Sequence, residues 1–179
     1  MSVRCALLLR AVNVSGRNRV PMAELRDLLA ARTDLEDIST YIASGNVICS
    51  VGGELDEARA QVRGLIHEDF AVDTPVIART HEELVAALAE NPLQDAVADK
   101  MLHVMFLESE PSVGAERVLR ERLQPGEHIA VRGRDLWIDY GTGGVAGTTL
   151  TRPVLDRALG VAGTARNLLT LRKLAELTA

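Results

Sequence analysis

One order of hydrophobic periodicities runs through this chain twice, and that doubling constrains the fold more than any single motif does. Val3–Leu9 is an apolar run of strand length, and Pro21 opens a helical pattern in which Met22, Leu25, Leu28 and Leu29 share a stripe up to Arg32. Asp37–Ala43 and Asn46–Ser50 read as a hairpin around Ser44-Gly45, with Gly45-Asn46 taking positive φ. A helix carrying Leu55, Ala58, Val62, Leu65, Ile66 and Phe70 on one face follows, then a strand over Thr74–Ala78. Thr80 and Glu83 have the spacing of a capping box ahead of a further helix, which Asn91-Pro92 breaks. The same series then restarts. Leu102–Leu107 is a strand, Ser112–Arg122 a helix with Val118 and Leu119 inward, and His128–Val131 and Asp135–Asp139 a hairpin around Arg132-Gly133-Arg134. Thr149–Leu159 is a helix closed by Gly160, Ala162–Arg166 a strand, and Leu168, Leu171, Leu174 and Leu177 stripe a last helix.

Two βαββαβ series in tandem predict an α+β fold, a duplication of two ferredoxin-like subdomains packed on each other. The expected subdomains are 1–92, with an extra helix, and 98–179, with a C-terminal helix. Small units bury a low fraction of their surface, so the doubly apolar strands Cys5–Leu9 and Val104–Leu107 are expected to supply surface for mutual packing.

Composition narrows the class further. A chain of 179 residues that is 47% hydrophobic can bury a sizeable core. No apolar run approaches the roughly 20 residues that span a bilayer, and Arg4 before Cys5–Leu9 is too short for a secretory signal, so no membrane role and a cytoplasmic location are expected. Cys5 and Cys49 both fall in strands, where a thiol ordinarily acts as a small buried hydrophobe. The net charge of −5 speaks against nucleic acid as a partner, because phosphate contacts need a basic field. Aromatic residues, at 3%, are too sparse for a base-stacking sheet.

The chemistry-bearing groups collect where the topology brings two loops together. In a βαββ unit the first and second strands run the same way, so the first strand-to-helix loop and the hairpin turn share one end of the sheet. Arg10, Asn13, Ser15, Gly16, Arg17 and Asn18 are thereby placed near Ser44, Gly45 and Asn46. A guanidinium, carboxamides and backbone N–H groups at glycines suit an anionic or amide-bearing small molecule. The same residue types also serve as plain turn residues that bond their own backbone, and the sequence is consistent with both roles.

Other motifs point to less. Gly141–Thr149 has the look of a phosphate loop, but no Lys follows Gly147, and a flexible loop capped by Thr148 or Thr149 is the simpler reading. His67, His81, His103 and His128 lack the spacing of metal ligands, so no metal and no cofactor is expected. Ser15 and Ser44 lack a nucleophile-elbow pattern, and no catalytic motif is recognised. Glu54, Asp56, Glu57, Glu82 and Glu83 read as solvated charges near helix N-termini.

Taken together, Leu8-Leu9-Arg10-Ala11-Val12-Asn13-Val14-Ser15-Gly16, Val20-Pro21-Met22-Ala23-Glu24-Leu25 and Tyr41-Ile42-Ala43-Ser44-Gly45-Asn46-Val47 resemble the DUF1697 family, a bacterial domain of unknown function. Thr164-Ala165-Arg166-Asn167, followed by Lys173-Leu174, is similar to that family's C-terminal segment, which makes Arg166 and Asn167 secondary site candidates. The resemblance implies the two-subdomain α+β fold and no established activity. It also implies Gly where this chain has Ala11, Lys near Thr149, Arg near Gly147 and Trp at Leu168.

The functional expectation is a small-ligand or partner-binding module with a polar Arg/Asn/Ser edge. Two alternatives stand beside it. One is an enzyme acting on a small polar or phosphorylated substrate, its charge stabilised by the same groups. The other is a weak nucleic-acid binder using Arg17, Arg19, Arg132 and Arg134, the only modest basic grouping.

Overall fold

The computed structural model describes residues 1–179. Its strands are β1 (Val3–Leu9), β2 (Glu36–Tyr41), β3 (Asn46–Val51), β4 (Val76–Thr80), β5 (Leu102–Leu107), β6 (His128–Arg132), β7 (Asp135–Asp139) and β8 (Gly163–Asn167). The helices are α1 (Met22–Arg32), α2 (Leu55–Phe70), α3 (His81–Ala89), α4 (Ala115–Arg120), α5 (Gly144–Gly147), α6 (Arg152–Leu159) and α7 (Leu168–Leu177). Two four-stranded antiparallel sheets result, ordered β2-β3-β1-β4 and β6-β7-β5-β8. The fold is therefore α+β with two repeated βαββαβ-like units, as the doubled periodicity predicts. No helix is long and apolar enough to cross a membrane.

The chain divides into two compact units, Met1–Val85 with Leu174–Ala179, and Ala86–Lys173. In the first, the period of two along a strand sends Cys5, Leu7 and Leu9 of β1 and Val47, Cys49 and Val51 of β3 to one face. Leu25 and Leu29 of α1 and Ala58, Val62, Leu65 and Ile66 of α2 close over that face to form one core. Cys5 and Cys49 stand directly opposite across the ladder, both free and buried, with their Sγ atoms 3.9 Å apart. The even positions Ala6 and Leu8 are equally shielded from solvent, as a run apolar on both faces requires. The second unit repeats the plan: Met105, Leu107, Leu136 and Ile138 of its sheet pack with Leu119, Leu155 and Leu159 of α4 and α6.

A detail of the last strand in each half carries the duplication down to single atoms. Arg79 Nη1 donates to the Ala78 carbonyl at 2.9 Å and Arg166 Nη1 to the Ala165 carbonyl at 2.8 Å, and both arginines are buried. Each is followed by the residue that caps the next helix. The Thr80–Glu83 capping box is reciprocal, with Glu83 N–H donating to Thr80 Oγ1 and Thr80 N–H to Glu83 Oε2, and Asn167 Oδ1 accepts from Thr170 N–H. Burial pushes the Arg166 guanidinium down to about 10.

Several boundaries differ from those expected. The first hairpin is closed by four residues rather than by Ser44-Gly45, because Tyr41 pairs with Asn46 and positive φ is taken by Ile42 (51°) and Gly45 (88°). Asn46 is drawn into the ladder by its own side chain, whose Nδ2 donates to the Tyr41 carbonyl at 2.9 Å. β4 begins two residues late: Pro75 has no N–H to give a ladder, and the Thr74 hydroxyl is committed to the Arg10 carbonyl at 2.6 Å. α4 begins at Ala115 because Gly114 sits in the left-handed region at φ 81°. In that six-residue helix Ala115 and Leu119 point inward four positions apart, which leaves Val118 41% exposed instead of in the core. α6 begins at Arg152 with Thr151 at its N-cap position and Pro in its first turn, so neither Thr148 nor Thr149 is the cap. Gly141–Gly147 is not an irregular loop but a 3-10 turn followed by α5. Glu83, expected among solvated charges, is engaged in the capping box.

Candidate functional site

The segment from Arg10 to Pro21 is shaped by an uncommon density of left-handed backbone. Ala11, Asn13, Ser15, Gly16 and Asn18 have φ of 53°, 55°, 51°, 73° and 50°. Ser15 and Gly16 are the two central residues of a turn closed by Arg17 N–H donating to the Val14 carbonyl at 3.0 Å, and positive φ at both marks it as type I′. Asparagine tolerates this region better than other non-glycine residues. Asn13 and Asn18 both sit in it and use their side chains to hold the loop: Asn18 Nδ2 donates to the Ala11 carbonyl at 3.0 Å.

Asn13 links the two predicted loops. Its Nδ2 donates to the Val20 carbonyl at 2.9 Å and to the Ala43 carbonyl at 2.7 Å, and its Oδ1 accepts from Val20 N–H at 2.8 Å. On the hairpin side, Leu9 N–H donates to the Gly45 carbonyl at 2.8 Å, and Asn46 Nδ2 also donates to Ser44 Oγ at 3.2 Å. Gly45 has no room for a side chain, since a Cβ there would stand 2.7 Å from Leu9 Cβ and from Val12 Cγ2. At one end of the sheet the first loop thus meets the hairpin turn through Asn13 and Ala43 and through Leu9 and Gly45. The carboxamides of Asn13 and Asn46 are bonded to backbone carbonyls, which is the turn chemistry that the sequence left open.

Where the two loops meet there is an open cleft of about 410 Å³, lined by Asn13, Arg19, Pro21, Met22, Thr40, Ile42 and Ala43. Arg19 is exposed and forms no ion pair. Thr40 Oγ1 accepts a 2.6 Å hydrogen bond from Arg26 Nη1, and the Thr40 hydroxyl proton is given to no protein acceptor. Pro21, Met22 and Ile42 contribute its apolar lining. Arg10 is half-buried, with its backbone N–H donating to Thr74 Oγ1 at 3.0 Å, and does not line the cleft. Ser15, Gly16 and Arg17 lie exposed at the tip of the loop.

Thr40 and Arg26 were not singled out from the sequence. The usable signal was Arg26 itself, a cation flanking the buried Leu25–Leu29 stripe of α1 at one helical turn from Met22. Of the basic grouping, Arg17 and Arg19 belong to the first unit, and Arg132, at the end of β6, and Arg134, in the turn after it, to the second. Arg166 and Asn167, the secondary candidates, also lie in the second unit, the one buried and the other capping α7.

Comparison with known proteins bears on the fold. The chain is similar over its whole length to the structure of the conserved bacterial protein SP0830 from Streptococcus pneumoniae, with 24% identity, complete coverage of both chains and a TM-score of 0.71. No functionally curated protein matches the chain. The family described as "Protein of unknown function (DUF1697)" matches residues 1–137, most of the chain, and its matched span takes in both loops of the cleft. The chain belongs to the DUF1697 family.

Proposed function

We propose that the chain is a binding module for a small organic anion, seated in the cleft between the β1–α1 loop and the β2–β3 turn. The observation that carries this reading is that Arg19 and Thr40 line the same cleft. Because Arg26 already donates to the Thr40 oxygen, the hydroxyl proton is turned away from Arg26 and is available as a donor. A guanidinium and a polarised hydroxyl beside the apolar Pro21, Met22 and Ile42 suit a carboxylate or phosphate carried on an apolar body.

Hydrogen bonds within the chain shape the two loops. Asn13 ties one to the other, and the I′ turn at Ser15-Gly16 carries Arg17 and Arg19 outward on a short, tightly closed loop. The lining supplies cation, hydroxyl and amide dipoles, with no carboxylate, histidine or thiol among its side chains. That is a recognition set, and it favours binding over proton transfer.

The test is a thermal-shift screen of small carboxylates and phosphate esters against the wild-type protein, Arg19→Ala and Thr40→Val. Hits that raise the wild-type Tm and lose that effect in both variants support the reading. Hits that stabilise all three proteins equally contradict it.

A further inference from the structure

The duplicated units differ in the charge across their helix pairs. In the first, Arg32 at the end of α1 faces carboxylates on α2, with Nη2 3.0 Å from Glu68 Oε2 and Nη1 3.1 Å from Asp69 Oδ1. In the second, the corresponding pair is α4 and α6. Here the groove between the helices, about 290 Å³, is lined by Val118, Arg122, Pro153, Val154, Arg157 and Ala158. Its charged residues are arginines on both sides.

Neither arginine is neutralised from within the protein. Arg117 and Arg120 on α4 pair with Glu121 and Glu116, at 3.4 and 2.6 Å, whereas Arg122 and Arg157 have no carboxylate partner. Only the backbone of Arg122 is engaged, its carbonyl accepting from Thr149 Oγ1. The floor between them is Val118, Val154, Pro153 and Ala158, and Val118 is 41% exposed although it belongs to a helix of this unit's core. Two like charges flanking an apolar floor are complementary to one anion with an apolar body.

We infer that the α4–α6 groove is a second ligand site, for an amphipathic monocarboxylate whose apolar body lies on Val118, Val154 and Ala158 and whose carboxylate is held by Arg122 and Arg157. Val154 and Arg157 are three apart on α6 and share one face, while Val118 of α4 and Arg122, two residues beyond the end of that helix, line the groove from the other side. In a chain of net charge −5, the site presents a local reversal of sign that a carboxylate meets only at close range.

The probe is octanoate, titrated into uniformly 15N-labelled full-length protein and followed by amide shifts. Saturable shifts centred on Val118, Val154 and Arg157 are expected, with affinity weakened roughly tenfold in Arg157→Gln and in Arg122→Gln, the scale of one charge-assisted hydrogen bond. Acetate at the same concentrations tests the charge alone and 1-octanol the apolar body alone, and each should bind much more weakly than octanoate. Either one matching octanoate, shifts centred elsewhere, or an octanoate affinity unchanged in both variants would overturn the assignment. Both substitutions are at exposed side chains, and the variants' own spectra report whether they remain folded.

Discussion

The carboxamide of Asn13 lies 2.7 Å from the carbonyl of Ala43, thirty positions away in sequence, and ties the β1–α1 loop to the β2–β3 turn. The same side chain accepts from the N–H of Val20, a buried residue, so it both bridges the loops and satisfies a shielded donor. Asn13→Ala removes three hydrogen bonds and leaves that N–H without its partner. A loss of about 2 kcal/mol in urea unfolding is expected, chiefly from the orphaned polar groups. Amide exchange should accelerate at Val20 while remaining slow in α2.

Ala11 occupies a left-handed conformation, φ 53°, at the position where the family resemblance implies glycine. An L-residue there carries roughly 1–2 kcal/mol of strain, partly offset because glycine loses more entropy on folding. Ala11→Gly should therefore stabilise the protein by about 0.5–1 kcal/mol, seen as a higher urea midpoint with an unchanged m value.

At Gly45 the opposite sign is expected. The φ of 88° disfavours any side chain, and a Cβ would press on Leu9 and Val12 in the core. Gly45→Ala should cost about 2–4 kcal/mol, the combined scale of left-handed strain and overpacking. Differential scanning calorimetry reads this as a lowered Tm.

Acid stability should depend on Glu116. Burial alone would raise its carboxyl. The Arg120 guanidinium, the Val131 N–H and the charge of Arg132 outweigh that and hold it below its ordinary 4.5. A lowered carboxyl pKa means that the unfolded chain binds the proton more readily, so this contribution is present above pH 4.5 and is lost as pH falls through the folded value. Glu116→Gln should lower stability at neutral pH and flatten the fall below pH 4.5, as urea unfolding across pH would report.

The elements that apolar periodicity controls were readable from the chain alone. β1, β5, α1 and α2 fall where their stripes and runs place them, because burial of Leu7, Leu25, Val62 and Phe106 decides those residues' geometry. Of the cleft, only the meeting of its two loops was legible. The antiparallel ladder forces Leu8 beside Asn46, which is enough to bring the two loops together. Which side chains then line the cleft depends on tertiary register: Arg26 reaches Thr40 only once α1 packs on β2, and no local pattern encodes that meeting. Asn46 shows the converse, a residue whose side-chain bond to Tyr41 pulls it out of the turn that its type favours.

The proposal that this cleft receives an organic anion is tested most directly by titrating phenyl phosphate into 15N-labelled protein. The account predicts saturable amide shifts concentrated at Arg19, Thr40, Ile42 and Ala43, abolished in Arg19→Ala and weakened roughly tenfold in Thr40→Val. Shifts that fall outside these two loops, or that persist unchanged in Arg19→Ala, would contradict it.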